Sequence, residues 1–112
     1  MADLTTQKIT RAGIGPTYAA CAGGGDKFVP DDDVYVHIKN GSGGALTATF
    51  ATPGDVDGEP ITDRTVSVPA GGERVIGPFP KNIFANNADG GKCAITYSGV
   101  TTLTIGVFEL QR

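Results

Sequence analysis

Five times along this chain apolar and polar side chains alternate with a period of two, and the first four of these runs are cut off by glycine, proline, serine or asparagine. That pattern lays one face of an extended segment on a core and the other in water, and a helix cannot satisfy it. In Val34–Asn40, the side chains of Val34, Val36 and Ile38 share one face while Tyr35, His37 and Lys39 share the other. Leu46, Ala48 and Phe50 alternate with Thr47, Thr49 and Ala51 in the next run, and Val66 and Val68 with Thr65 and Ser67. Toward the C-terminus, Cys93, Ile95 and Tyr97 alternate with Ala94 and Thr96, and Leu103, Ile105 and Val107 with Thr102, Thr104 and Phe108. Gly106 interrupts the last run and signals a bulge or a close backbone approach.

The connections carry turn chemistry. Asn40-Gly41-Ser42-Gly43-Gly44 joins the first two runs, and Pro69-Ala70-Gly71-Gly72 joins Val68 to the extended Glu73-Arg74-Val75-Ile76, so each predicts a β-hairpin. Gly77-Pro78-Phe79-Pro80 then ends the strand, because proline removes ladder donors and forbids helix. Lys81-Asn82-Ile83-Phe84-Ala85 leaves room for a single helical turn. With 17 glycines and 7 prolines among 112 residues, many short strands fit better than helices. The expected fold is all-β: an antiparallel β-sandwich, jelly-roll or immunoglobulin-like, or a small barrel.

Residues 1–26 differ in character, and the sequence divides into an extended N-terminal arm, 1–26, and a β-sandwich domain, 27–112. Leu4, Ile9, Ile14 and Tyr18 are widely spaced, Gly13-Ile14-Gly15-Pro16 breaks any helix, and Ala22-Gly23-Gly24-Gly25-Asp26 reads as a hinge. Leu4 to Ile9 has the makings of a strand. The arm is expected to pair at a sheet edge or to reach a neighbouring molecule, and its removal (residues 2–20) to leave the sandwich folded.

Several constellations invite a chemical reading and do not sustain it. Asp55-Val56-Asp57-Gly58-Glu59 resembles the opening of a calcium loop, but counting twelve from Asp55 reaches Val66 and not the required glutamate, which leaves a solvated turn. Asp31-Asp32-Asp33 reads as an acidic turn ahead of Val34. His37 is the sole histidine, and a nucleophilic triad needs partners that the sequence does not place beside it. Tyr35 and His37 on one strand face are the best candidate for stacking a sugar. Neither Gly13-Ile14-Gly15-Pro16 nor Gly23-Gly24-Gly25 has phosphate-loop spacing. Enzyme activity and bound cofactors or metals are therefore not expected.

The nine basic residues are scattered and the formal charge is −3, which speaks against nucleic-acid binding. No apolar run approaches the ~20 residues of a membrane span, and MADLTTQKITRAG lacks the layout of a signal peptide, so synthesis and retention in a cytoplasm are expected. Cys21 and Cys93 are the only thiols and have no CxxC spacing. They read as two buried reduced thiols; paired, the long loop they close would add about 4 kcal/mol.

The combination of LTTQKITRAGIGPTYAA, VYVHIKNGSGGALTATFATPG, VSVPAGGERVIGPFP and ITYSGVTTLTIGVFEL resembles small structural proteins of tailed bacteriophages encoded among the head genes. The resemblance spans nearly the whole chain and implies a capsid decoration, or cement, protein. Such a protein is made in the host bacterial cytoplasm and ends on the exterior of the virion, where it contacts the major capsid protein and self-associates, most often as a trimer. On this reading Leu4, Ile9, Ile14 and Tyr18 of the arm carry the capsid or inter-subunit contact. Phe79 and Phe84 offer a second contact, with core packing as the competing use. Cys21 and Cys93 are atypical of that family and leave a possible disulfide open. Competing readings are a head–tail connector or tail component, and a small module that binds a carbohydrate or host surface.

Overall fold

Burial follows the alternation. Val34, Val36, Ile38, Ala48, Phe50, Val68, Cys93, Ile95, Leu103, Ile105 and Val107 are all buried, so each run turns its apolar face to the core. The computed structural model describes residues 2–53, 55, 56, 59, 60 and 62–110. In chain order its strands are β1 (Ala2–Asp3), β2 (Thr6–Ile9), β3 (Ala19–Ala20), β4 (Asp26–Phe28), β5 (Val34–Asn40), β6 (Leu46–Phe50), β7 (Asp55–Val56), β8 (Glu59–Pro60), β9 (Arg64–Val68), β10 (Glu73–Ile76), β11 (Cys93–Tyr97) and β12 (Leu103–Leu110). The single helical turn α1 (Lys81–Phe84) lies where the sequence predicts it.

Two sheets face each other across one core. The first runs β1-β4-β11-β6-β9 and the second β10-β5-β12-β2, with β3 also beside β12; β7 and β8 form a separate ribbon. This is a sandwich, and its sheets are mixed, not purely antiparallel: β1 runs parallel to β4 and β2 parallel to β12.

The two expected hairpins are arches. β5 and β6 lie in opposite sheets, and so do β9 and β10. Alternation specifies which face a strand buries, but the buried faces of both sheets look onto the same core, so either sheet accepts the strand. Asn40 fastens the crossing. It is 2% exposed, and its Nδ2 donates to the carbonyls of Gly44 (2.9 Å) and Val68 (3.0 Å) while its Oδ1 accepts from the Ser42 N–H. One buried amide thus ties the first arch to the strand that leads into the second.

The extended arm expected over residues 1–26 is not seen as such. Its strands add to edges of the chain's own sheets, with Thr6 opposite Val107 and Ala2 opposite Asp26. Gln7 reinforces this: its side-chain amide donates to the Thr17 carbonyl and accepts from the Thr17 N–H, each at 2.8 Å, imitating a strand pair across the intervening loop. Gly106 is where that loop comes closest. A Cβ there would lie 3.0 Å from the Thr17 carbonyl oxygen and 2.8 Å from the Phe108 ring, so the glycine marks a close approach and not a bulge. Deleting residues 2–20 therefore takes strands from both sheets.

The centre of the core is aromatic. Phe79 is 1% exposed and its ring centroid lies 4.9 Å from Phe28, 5.0 Å from Phe50 and 5.0 Å from Phe84. The proline-bounded segment after β10 delivers it there.

Candidate functional site

The outward face of the second sheet is the part of the surface with the most organised side chains. Period-2 geometry sends Tyr35, His37 and Lys39 of β5, Phe108 of β12, and Glu73 and Val75 of β10 to that side, since the register sets Phe108 opposite Tyr35 and Val75 opposite His37. Phe108 is only 4% exposed although it points away from the core. Tyr35 stacks on it (centroids 5.5 Å apart, 25° between planes), and Tyr18 covers it at 5.8 Å.

Tyr18 is held by His37, which Glu73 holds in turn, and by Lys39. Its hydroxyl lies 2.7 Å from His37 Nδ1, His37 Nε2 lies 3.0 Å from Glu73 Oε1, and the Lys39 ammonium sits 3.9 Å over the Tyr18 ring. With Tyr18 donating to Nδ1, the proton on Nε2 goes to Glu73, so one neutral tautomer serves both contacts. Hydroxyl, imidazole and carboxylate stand in the order of a nucleophilic relay. The hydroxyl, however, is a phenol whose ring is packed on Phe108 and capped by Lys39. These contacts make it a fastener that holds residues 13–18 against the sheet, worth a cation–π term of about 0.5–1 kcal/mol beside the hydrogen bonds.

Beside this fastener runs an apolar trough of about 330 Å³, walled by Ile9, Ile14 and Pro16, floored by Tyr35 and Phe108, and bounded by Val75. Val75 is 62% exposed and Leu110, beyond Tyr35, is 54% exposed; Ile14 is 36% exposed. A second hollow of about 330 Å³ continues past Val75 to Asp32, Pro78 and Leu110. The face thus carries three exposed branched aliphatic side chains, with Asp32, Asp33 and Glu73 near them.

Of the residues singled out in the sequence, Ile9, Ile14 and Tyr18 meet at this trough. Leu4 is half-buried and packs against the core, as does Phe84, and Phe79 lies inside it. The contact expected of Phe79 is therefore closed off by the fold: the core is its use. Cys21 and Cys93 are free and buried. The Cys21 thiol lies beside Tyr97, whereas the Cys93 thiol faces the Ala51 carbonyl at 3.6 Å. Burial pushes the Cys21 thiol up to about 11 and the Cys93 thiol up to about 12. Nearby, Tyr97 donates to buried Asp26 Oδ2 at 2.7 Å, and burial followed by this bond raises the phenol.

Sequence reasoning missed the partners of His37, which come from 19 residues before it and 36 after it. It also missed Val75 and Leu110, although an apolar residue at an outward position of a strand was a usable signal. Among the described residues no three His, Cys, Asp or Glu side chains are grouped to hold a metal, and no helix is long and apolar enough to cross a membrane. Asp57 and Gly58 of the calcium-like stretch lie outside the described residues. Comparison with known protein families, with curated proteins and with solved structures finds no match to this chain.

Proposed function

We propose that this protein is a non-enzymatic structural component of a tailed-bacteriophage virion, a decoration protein that binds the outer surface of the capsid and reinforces it through the major capsid protein. The observation that carries the reading is the trough on the outer face of the second sheet, where Ile14, Val75 and Leu110 are left in water beside an ordered wall of Tyr18, Tyr35 and Phe108. A rigid apolar face on a sandwich suits docking against a protein lattice. Many copies of a modest contact, or a self-associated unit such as a trimer, raise the total affinity far above that of one contact. The N-terminal segment takes part as the wall of the docking face, its Ile9 and Ile14 fixed in place by Gln7 and Tyr18.

The test is co-sedimentation with capsids that lack the protein, counted as copies per particle, for the wild type and for Ile14→Glu and Val75→Glu. Saturation by the wild type in a ratio set by the lattice, lost in the glutamate variants at unchanged circular dichroism, supports the reading. Binding of a dozen copies or fewer would move it to a connector or tail component, and no binding would overturn it. A second reading, contact with a carbohydrate or host surface, draws on one arrangement: Tyr35 beside His37 and Glu73 offers a ring face next to hydrogen-bonding groups. A glycan array separates the two.

A further inference from the structure

β1 and β2 close one side of the sandwich, and the other side ends on β9 and β10, the terminal strands of the two sheets. Among the described residues neither strand pairs with anything on its outer edge. The register sets Arg64 opposite Phe50 and Arg74 opposite Ile38, both of which are buried. Each arginine therefore springs from the core-facing side of its strand, and the two residues, both exposed, line the same gap from opposite sheets. That gap is a cleft of about 500 Å³, lined by the two arginines together with Val66, Ile76, Pro78 and Phe84.

Neither arginine has a carboxylate partner among the described residues, although the chain carries 12 acidic residues against 9 basic ones. Arg74 donates only to the Glu73 carbonyl, at 2.8 Å. A guanidinium with no carboxylate from its own described residues can take one from a partner as a bidentate pair. Beyond the Glu73 carbonyl that Arg74 holds, the outer edge of β10 offers the backbone of Val75 to a further strand, and Val75, 62% exposed, faces outward from it. Inward charges on edge strands also discourage edge-to-edge pairing, so a strand added here needs countercharges of its own.

We propose that the cleft between β9 and β10 is a receptor for an extended segment of a partner protein with the pattern acidic–apolar–acidic. The segment adds to β10 as a strand. Its two carboxylates, spaced two residues apart, turn inward to Arg64 and Arg74, and the apolar residue between them pairs with Val75 on the outer face. This assignment shares Val75 with the capsid-docking face and is examined separately from it, with free protein and a synthetic peptide.

The experiment is an amide NMR titration of the full chain with acetyl-Thr-Val-Glu-Val-Glu-Val-Thr-amide up to millimolar concentration, beside the same peptide with glutamine for glutamate. The glutamate peptide is expected to shift the amides of Val75 and Ile76. The glutamine peptide, and the Arg64→Gln/Arg74→Gln variant with the glutamate peptide, are expected to bind about tenfold more weakly or worse, the order of losing charge-assisted hydrogen bonds. Absence of shifts on β10, equal binding of the two peptides, or unimpaired binding by the arginine variant would overturn the proposal. So would self-association of that variant without peptide, which would assign the arginines to keeping edges apart.

Discussion

Truncation of Phe79 to alanine separates a core aromatic from a surface one. The ring is 1% exposed and touches three other phenylalanines at centroid distances of 4.9–5.0 Å. Removal forfeits its own burial, three aromatic pairs and the filled volume, for a cost of about 4 kcal/mol. Unfolding entropy of roughly 2.1 cal/mol/K per residue gives about 0.24 kcal/mol/K over 112 residues, so the melting temperature should fall by about 17 °C. Leucine at the same position keeps most of the volume and should cost about 1–1.5 kcal/mol, or roughly 5 °C. Differential scanning calorimetry of the two variants beside the wild type reads both numbers. A fall below about 4 °C for the alanine variant would refute the placement of the ring and return Phe79 to the surface.

Two further outcomes follow from the geometry. Tyr18→Phe removes the hydroxyl that meets His37 Nδ1 and should cost about 1 kcal/mol, with amide exchange accelerated selectively at Thr17 and Ala20; uniform acceleration across the sheets would refute the fastener. The buried thiols make stability fall at alkaline pH. Their folded values of about 11 and about 12 exceed the ordinary 9.0, so their contribution is complete below pH 9 and is lost as pH rises from 9 toward those values. Tyr97, raised from 10.0, extends the decline. Urea midpoints measured from pH 8 to 10.5 should drop, and the Cys21→Ala/Cys93→Ala variant should drop less between pH 9 and 10; a midpoint that rises over this range would contradict the burial of the thiols.

What the sequence revealed and withheld has a physical basis. Alternation is a local property, so the inward faces of β5, β6, β11 and β12 could be assigned residue by residue. The sheet to which each belongs is decided by partners far along the chain. Asn40-Gly41-Ser42-Gly43-Gly44 has the composition of a hairpin turn, yet it spans the sandwich because Asn40 finds the Val68 carbonyl, 28 residues away. The parallel pairing of β2 with β12 had no local signature at all. At the candidate site, Tyr18 and Ile14 were legible as apolar residues in a polar, glycine-rich stretch, whereas the link from Tyr18 through His37 to Glu73 joins three segments with nothing in common but their place in the fold.

The pairing of β2 with β12 also sets a schedule for synthesis. Thr6–Ile9 leaves the ribosome roughly 100 residues ahead of its partner Val107–Leu110. At roughly 5–20 residues per second, the early strand spends several seconds without its neighbour. β5 can pair with β10 as the chain emerges, but the second sheet gains β12, which joins β5 to β2, only afterwards. Folding then waits for β12, is dominated by closure of long loops and is slow for its size. During that interval Leu4, Ile9 and Ile14 are available to chaperones, proteases and other nascent copies, which makes the yield of this protein sensitive to expression rate and temperature.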